Sequence, residues 1–135
     1  MNSTASLRTA DFYFQVWSSV KYRLDALQGE NREIVLATFS RVAKDASIDL
    51  MEVEAIHDHV HMLLEVRDDQ TLPVVMKRLK GASAREIFEQ VPFLRLDMHS
   101  NSFWQRGYGS RLIAPSEIQM IRHYIKTQEE RPLRH

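Results

Sequence analysis

The run HDHVHMLLEV, residues 57–66, is the strongest local signal for chemistry in this sequence. On a strand, residues i and i+2 face the same way, so His59 and His61 project together while Val60 points into the core between them. Two imidazoles one pleat apart can converge on a single cation; an arbitrary HxH on a strand is more often two half-buried histidines, each hydrogen-bonded to a neighbour. His57 has the same parity, but four strand residues span about 13 Å, so it is placed in the turn before the pair. A second pair, Tyr124 and Gln128 in MIRHYIKTQ, stacks on one helical face at i, i+4; a surface aromatic beside an ordinary helix former gives the same pattern. The third signal is Lys77, Arg78, Lys80 and Arg85 around Gly81-Ala82-Ser83, followed by Phe103, Trp104, Arg106 and Tyr108. Cations interleaved with aromatics suit phosphate neutralisation and base stacking on single strands. A solvated helix face followed by a sheet core would read the same way.

The elements that must position these groups follow from periodicity. Phe12, Phe14 and Val16 alternate with Tyr13, Gln15 and Trp17, which predicts a strand over Asp11–Tyr22. Ile34, Val35, Phe39, Val42 and Ala43 recur at helical spacing, predicting a helix over Asn31–Asp49 with Asn31 as its cap. Leu50–Ile56 and Val60–Val66 read as a tight antiparallel hairpin. Thr71–Phe88 is the second helix, with Pro73 in its first turn. A looser stretch then leads to a strand over Phe103–Ile113, where Gly107 and Gly109 permit a bend or bulge. Ser116 with Gln119 forms a candidate capping box for a last helix reaching Glu129, with Ile118, Ile121 and Ile125 as its apolar stripe. The order β-α-β-β-α-β-α predicts an α+β chain. Its first six elements follow the ferredoxin-like split βαβ pattern, a four-stranded antiparallel sheet with two helices on one face, plus an extra C-terminal helix.

At 135 residues the chain is expected to form a single domain over residues 1–135 and to bury enough apolar surface to fold without disulfide or structural metal. The absence of cysteine excludes thiol nucleophiles, zinc ribbons and iron–sulfur sites. No apolar run approaches the ~20 residues of a membrane span, and the N-terminus lacks a signal-peptide pattern, so a soluble, cytoplasmic protein with no membrane partner is expected. The 18 basic and 18 acidic residues balance, yet residues 1–76 carry a net −5 and residues 77–135 a net +5. Such asymmetry hints at a polyanion partner, although acidic and basic faces that pair in the fold would also produce it.

Taken together and in order, VWSSVKYR, HDHVHMLLEV, LKGASAREIF, FWQRGYGS and IRHYIKTQ resemble the single-tyrosine HUH transposases, the small HUH endonucleases of bacterial insertion sequences, elements that move as single-stranded DNA. The resemblance spans residues 11 to 130. It implies a ferredoxin-like nuclease that cleaves and rejoins single-stranded DNA through a 5′-phosphotyrosine intermediate and recognises hairpins at the ends of its element. Matched position by position, His59 and His61 correspond to the metal pair, Gln128 to the third metal ligand and Tyr124 to the nucleophile. Lys77, Lys80, Arg85, Trp104, Arg106 and Tyr108 are then candidate DNA contacts. The resemblance also implies a divalent ion, Mg2+ or Mn2+, and a homodimer in which the tyrosine helix of one subunit can complete the site of the other. His57 departs from the family, which more often has proline there, and this bears on the turn geometry. No nucleotide cofactor is expected, because rejoining draws on the phosphotyrosine bond and the chain has no GxxxxGK[ST] loop.

Tyr13 and Tyr22 fall on the first strand and Tyr108 between two glycines, which makes Tyr108 the second candidate nucleophile. Two rival readings remain at this level. The H-x-H-x-H run resembles histidine-triad nucleotide hydrolases, but Asp58 then occupies an apolar position and Tyr124/Gln128 goes unexplained. A domesticated protein could bind hairpins without cleaving; it would show binding without metal-dependent nicking.

Overall fold

The structure, a computed structural model, describes residues 11–21, 27, 29–56, 58–94 and 102–127. In chain order it contains β1 (Phe12–Ser19), α1 (Gly29–Asp45), β2 (Asp49–Ile56), β3 (His59–Val66), α2 (Leu72–Gln90), β4 (Gly109–Ile113), a 3-10 turn (Pro115–Glu117) and α3 (Ile118–Lys126). The strands form one sheet in the order β2-β3-β1-β4, every neighbouring pair antiparallel. This is the expected ferredoxin-like α+β arrangement.

Alternation divides the side chains of the sheet between two faces. Val16, Val60, Met62, Leu64 and Val66 pack with Val35, Phe39 and Val42 of α1 and Val75, Met76, Leu79 and Ile87 of α2 in one large core. The opposite face holds a smaller cluster, in which Leu63 and Ile113 pack with Ile121 and Ile125, flanked by Tyr13, Met51, Ile118 and Tyr124. The C-terminal helix thus lies across the sheet from α1 and α2, and its apolar stripe is the one the sequence predicts.

The boundaries shift for local reasons. Helix α1 begins at Gly29, so Asn31 lies inside it rather than at its cap. It ends at Asp45 because Ser47 adopts a left-handed φ of 57° and the Ile48 amide donates back to the Ala43 carbonyl at 2.8 Å, a hydrogen bond that closes helices of this kind. The expected strand over Phe103–Ile113 is broken in two. The Lys21 and Gln105 amides donate to the Phe103 and Ser19 carbonyls, each at 2.8 Å. Gly107 then takes a φ of 80°, and β4 starts only at Gly109. The N-cap of the last helix is Glu117 rather than Ser116, and it makes no side-chain capping bond to that helix; its carboxylate instead accepts from the Ala114 amide at 2.9 Å and closes the 3-10 turn before it.

Phe103 and Trp104 do not extend the sheet; they plug the main core. Trp104 meets Phe39 and Phe103 edge-on, with ring centres 5.3 and 4.8 Å apart, a favoured aromatic geometry. Phe39 is fully buried against Trp104. Phe39→Ala is expected to cost about 3–5 kcal/mol of stability, measured by urea unfolding with an unchanged m-value.

Candidate active site

Strand β3 places His59 and His61 on the sheet face opposite α1 and α2, the face that α3 covers one pleat further on through Leu63. Their ring centres lie 6.1 Å apart with planes tilted by 32°. An ion about 2.1 Å from a ring nitrogen lies about 3.2 Å from that ring's centre, so rings up to about 6.4 Å apart can share one. The pair meets that limit.

Each imidazole is prepared differently. His59 Nδ1 lies 2.6 Å from the Asp58 carboxylate. This places its proton on Nδ1 and leaves the Nε2 lone pair for a ligand, the arrangement that orients metal-binding histidines. His61 Nδ1 is buried and has no hydrogen-bond partner among the described residues. Burial, with the nearby His59 adding to it, pushes the His61 pKa down to about 4, so the ring is neutral at physiological pH and need not lose a proton to bind a cation. A buried unpartnered nitrogen beside an oriented imidazole fits a cation site.

No third His, Cys, Asp or Glu joins the pair among the described residues. Glu54 stands opposite His61 in the register, but Arg32 binds its carboxylate while also donating to the Ala55 carbonyl at 3.1 Å. Gln128, the expected third ligand, lies outside the described residues, as do His57 and Tyr22.

Tyr124 sits in the last turn of α3, on the flank of the Ile118/Ile121/Ile125 stripe away from Arg122. Its ring is half-buried against the smaller cluster, on the sheet face that carries the histidines. Arg122 ties the other flank to β2, its Nε 3.5 Å from Glu52 and its NH2 group donating to the Met51 carbonyl at 3.4 Å. Tyr108, by contrast, packs at the margin of the main core.

The candidate DNA contacts divide. Trp104 is corrected: it is 5% exposed and its indole N–H donates to the Ser83 hydroxyl at 3.1 Å, so it offers no face to a base. The sequence misleads here because an aromatic next to Arg106 looks like a binding surface, whereas the chain turns Trp104 inward where it bridges to Val20. Lys80 is half-buried and clamps the loop, donating to the Gln105 and Gly107 carbonyls at 2.9 and 2.6 Å, and burial lowers its pKa. Its ammonium also lies 6.0 Å from the Tyr108 ring centre. Lys77, Arg85 and Arg106 are exposed. Lys77 and Arg85 belong to α2 and hence to the side of the sheet away from the histidines.

Two residues that sequence reasoning passed over lie on the histidine face. Trp17 pairs directly with His61 across β1 and β3, and Arg111 pairs with Gln15 one row along. The alternation around Trp17 was readable in the sequence, but not which strand it would oppose.

Comparison with known proteins agrees with this fold. The ISDra2 transposase TnpA of Deinococcus radiodurans is 30% identical over 119 residues, covering 88% of this chain and 84% of that protein. The transposase of insertion sequence IS200 from Salmonella typhimurium is 33% identical over 110 residues, covering 82% of this chain and 72% of its own. Among solved structures, a putative transposase from Deinococcus radiodurans superposes with a TM-score of 0.72 at 26% identity, over 89% of this chain and 92% of that one. A REP-associated tyrosine transposase bound to a REP hairpin shares the fold, with a TM-score of 0.64 at 11% identity over 96% of this chain and 73% of that one. The sequence model of the IS200-like transposases matches residues 9–128, a span that takes in both histidines, Tyr124 and Gln128, and the chain belongs to that transposase family.

Proposed function

We propose that this transposase cleaves and rejoins single-stranded DNA, with Tyr124 as the nucleophile and His59, His61 and Gln128 as ligands of a divalent ion, Mg2+ or Mn2+. The observation that carries the reading is the convergence on one sheet face of an oriented imidazole, a neutral buried imidazole and the helix bearing Tyr124. In the cleavage step the Tyr124 oxygen bonds to the scissile phosphorus and the P–O3′ bond breaks. The phenol proton leaves and the departing strand ends in a 3′-hydroxyl. Rejoining is the reverse step with another strand's 3′-hydroxyl, so no nucleotide cofactor is consumed. The bound ion supplies Lewis-acid polarisation of the phosphate. Asp58 holds the His59 ring in the ligating tautomer, and burial keeps His61 uncharged.

The solved structure of a REP-associated relative with its hairpin supports hairpin DNA as the substrate. The exposed cations Lys77, Arg85 and Arg106 suit its phosphates, and binding should therefore weaken steeply with salt. A second copy of the chain is the expected partner. Strand β4 is an edge of the sheet, and Leu112 on it is 57% exposed.

Asp58→Asn is expected to weaken Mn2+ binding by about 10- to 100-fold, read by calorimetry on the metal-free protein. Unchanged affinity would remove Asp58 from the site. The reading as a whole is tested by offering the protein matched single-stranded and duplex oligonucleotides from the DNA flanking its gene, with and without Mn2+. Metal-dependent cleavage confined to the single strand supports it. Hairpin binding with no cleavage would indicate a protein that recognises DNA without cutting it.

A further inference from the structure

Trp17 is a large aromatic that the fold does not use as core. Its ring belongs to neither apolar cluster, is half-buried, and stands on the histidine face directly opposite His61. Its seat is specific. Strand β4 places Gly109 opposite Trp17, and a Cβ at Gly109 would lie 2.1 Å from the indole Cε2 and Nε1 atoms. Any side chain at position 109 would therefore collide with the ring, and glycine lets the indole lie against the β4 backbone. The loop leading to Gly109 is pinned by Lys80 through the Gln105 and Gly107 carbonyls, which fixes the floor under the ring.

One row along the same face, Arg111 of β4 pairs with Gln15. Its guanidinium donates to the Gln15 side chain at 3.2 Å and lies 3.7 Å from the Glu117 carboxylate, yet its side chain remains 48% exposed. An aromatic plate with a solvent-facing guanidinium beside it is the pairing that binds a single-stranded nucleotide, the ring taking the base and the cation the phosphate.

We propose that Trp17 is a stacking platform for an unpaired nucleobase next to the scissile phosphate, with Arg111 contacting a phosphate of the same strand. This rests on the cleavage reading above and adds to it a substrate contact outside the histidine pair. The direct opposition of Trp17 and His61 ties the platform to the cleavage centre. Stacking accepts any base face, so the platform holds the strand in place while sequence selection lies elsewhere.

The test uses a hairpin oligonucleotide from the DNA flanking the gene, with and without an unpaired flank of about ten nucleotides. Indole emission and oligonucleotide anisotropy are followed together. The chain has two tryptophans, and buried Trp104 serves as the internal control. Emission is expected to be quenched when the flanked hairpin binds, to stay unchanged with the hairpin lacking its flank, and to stay unchanged in Trp17→Phe, which keeps a ring in place and leaves only Trp104 to emit. Trp17→Ala, checked by circular dichroism, should bind the flanked hairpin about 5- to 150-fold more weakly and the flankless hairpin as wild type does. If the flanked hairpin binds and is cleaved with unchanged emission and unaltered Trp17→Ala affinity, Trp17 merely covers Gly109 and the platform is wrong, while the cleavage reading stands. Binding of no oligonucleotide by the wild-type protein overturns both.

Discussion

Replacing Tyr124 with phenylalanine is expected to abolish covalent attachment to DNA and to lower cleavage at least about 1,000-fold, since nothing replaces the lost nucleophile. Binding of the same oligonucleotide should stay within about two-fold, because only one oxygen is removed from a site built mainly of other contacts. The fold should also survive. The ring packs on its edge of the Leu63–Ile113–Ile121–Ile125 cluster, phenylalanine preserves that packing, and losing one hydrogen bond costs about 1 kcal/mol. Activity and stability therefore separate in this variant. A parallel loss of binding and of melting temperature would instead mark Tyr124 as a packing residue. Tyr108→Phe makes the useful contrast: its ring lies against the main core and under the Lys80 ammonium, so adduct formation should persist.

His61→Leu is expected to remove metal-dependent cleavage by at least about 100-fold without destabilising the metal-free protein. The second half of that expectation comes from the unpartnered buried nitrogen. A buried polar atom left without a hydrogen bond costs about 1–3 kcal/mol, and leucine of similar size removes it. The melting temperature of the metal-free variant should equal or exceed that of the wild type. Mn2+ should act in the opposite direction. At 100 times its dissociation constant it stabilises the wild type by about 2.7 kcal/mol through mass action, and it should leave His61→Leu unmoved. A variant that is destabilised without metal, with Mn2+ stabilisation intact, would show that His61 is structural. Calorimetric scans with and without Mn2+ distinguish the two.

Much of this was legible in the sequence because local patterning and tertiary demand agree. The alternation in β1 and β3, the stripe Ile118/Ile121/Ile125 and the element order all led to the ferredoxin-like sheet, and the five sequence blocks to the transposase family. What sequence could not show is what stands beside what. Trp104 reads as a DNA-facing aromatic from its neighbours, and only the bridge between Val20 and Trp104 turns it into the core. Lys80 reads as a free cation, and only the glycine loop passing above α2 makes it a clamp. Glu54 reads as one more acidic strand residue until Arg32 reaches around from α1 to bind it. Asp58 was visible as a departure from an alternating apolar run; its use emerges from the hydrogen bond to His59. The position of Gly109 under Trp17 depends on strand register, which a sequence leaves open.

The central claim is that a tyrosine, and specifically Tyr124, becomes joined to DNA. The protein incubated with a 3′-labelled hairpin oligonucleotide from its flanking DNA and Mn2+ should yield a protein–DNA band on a denaturing gel, and peptide mapping should place the nucleotide on Tyr124. Cleavage that releases a free 5′-phosphate with no adduct, or an adduct mapped to Tyr108, would contradict the account.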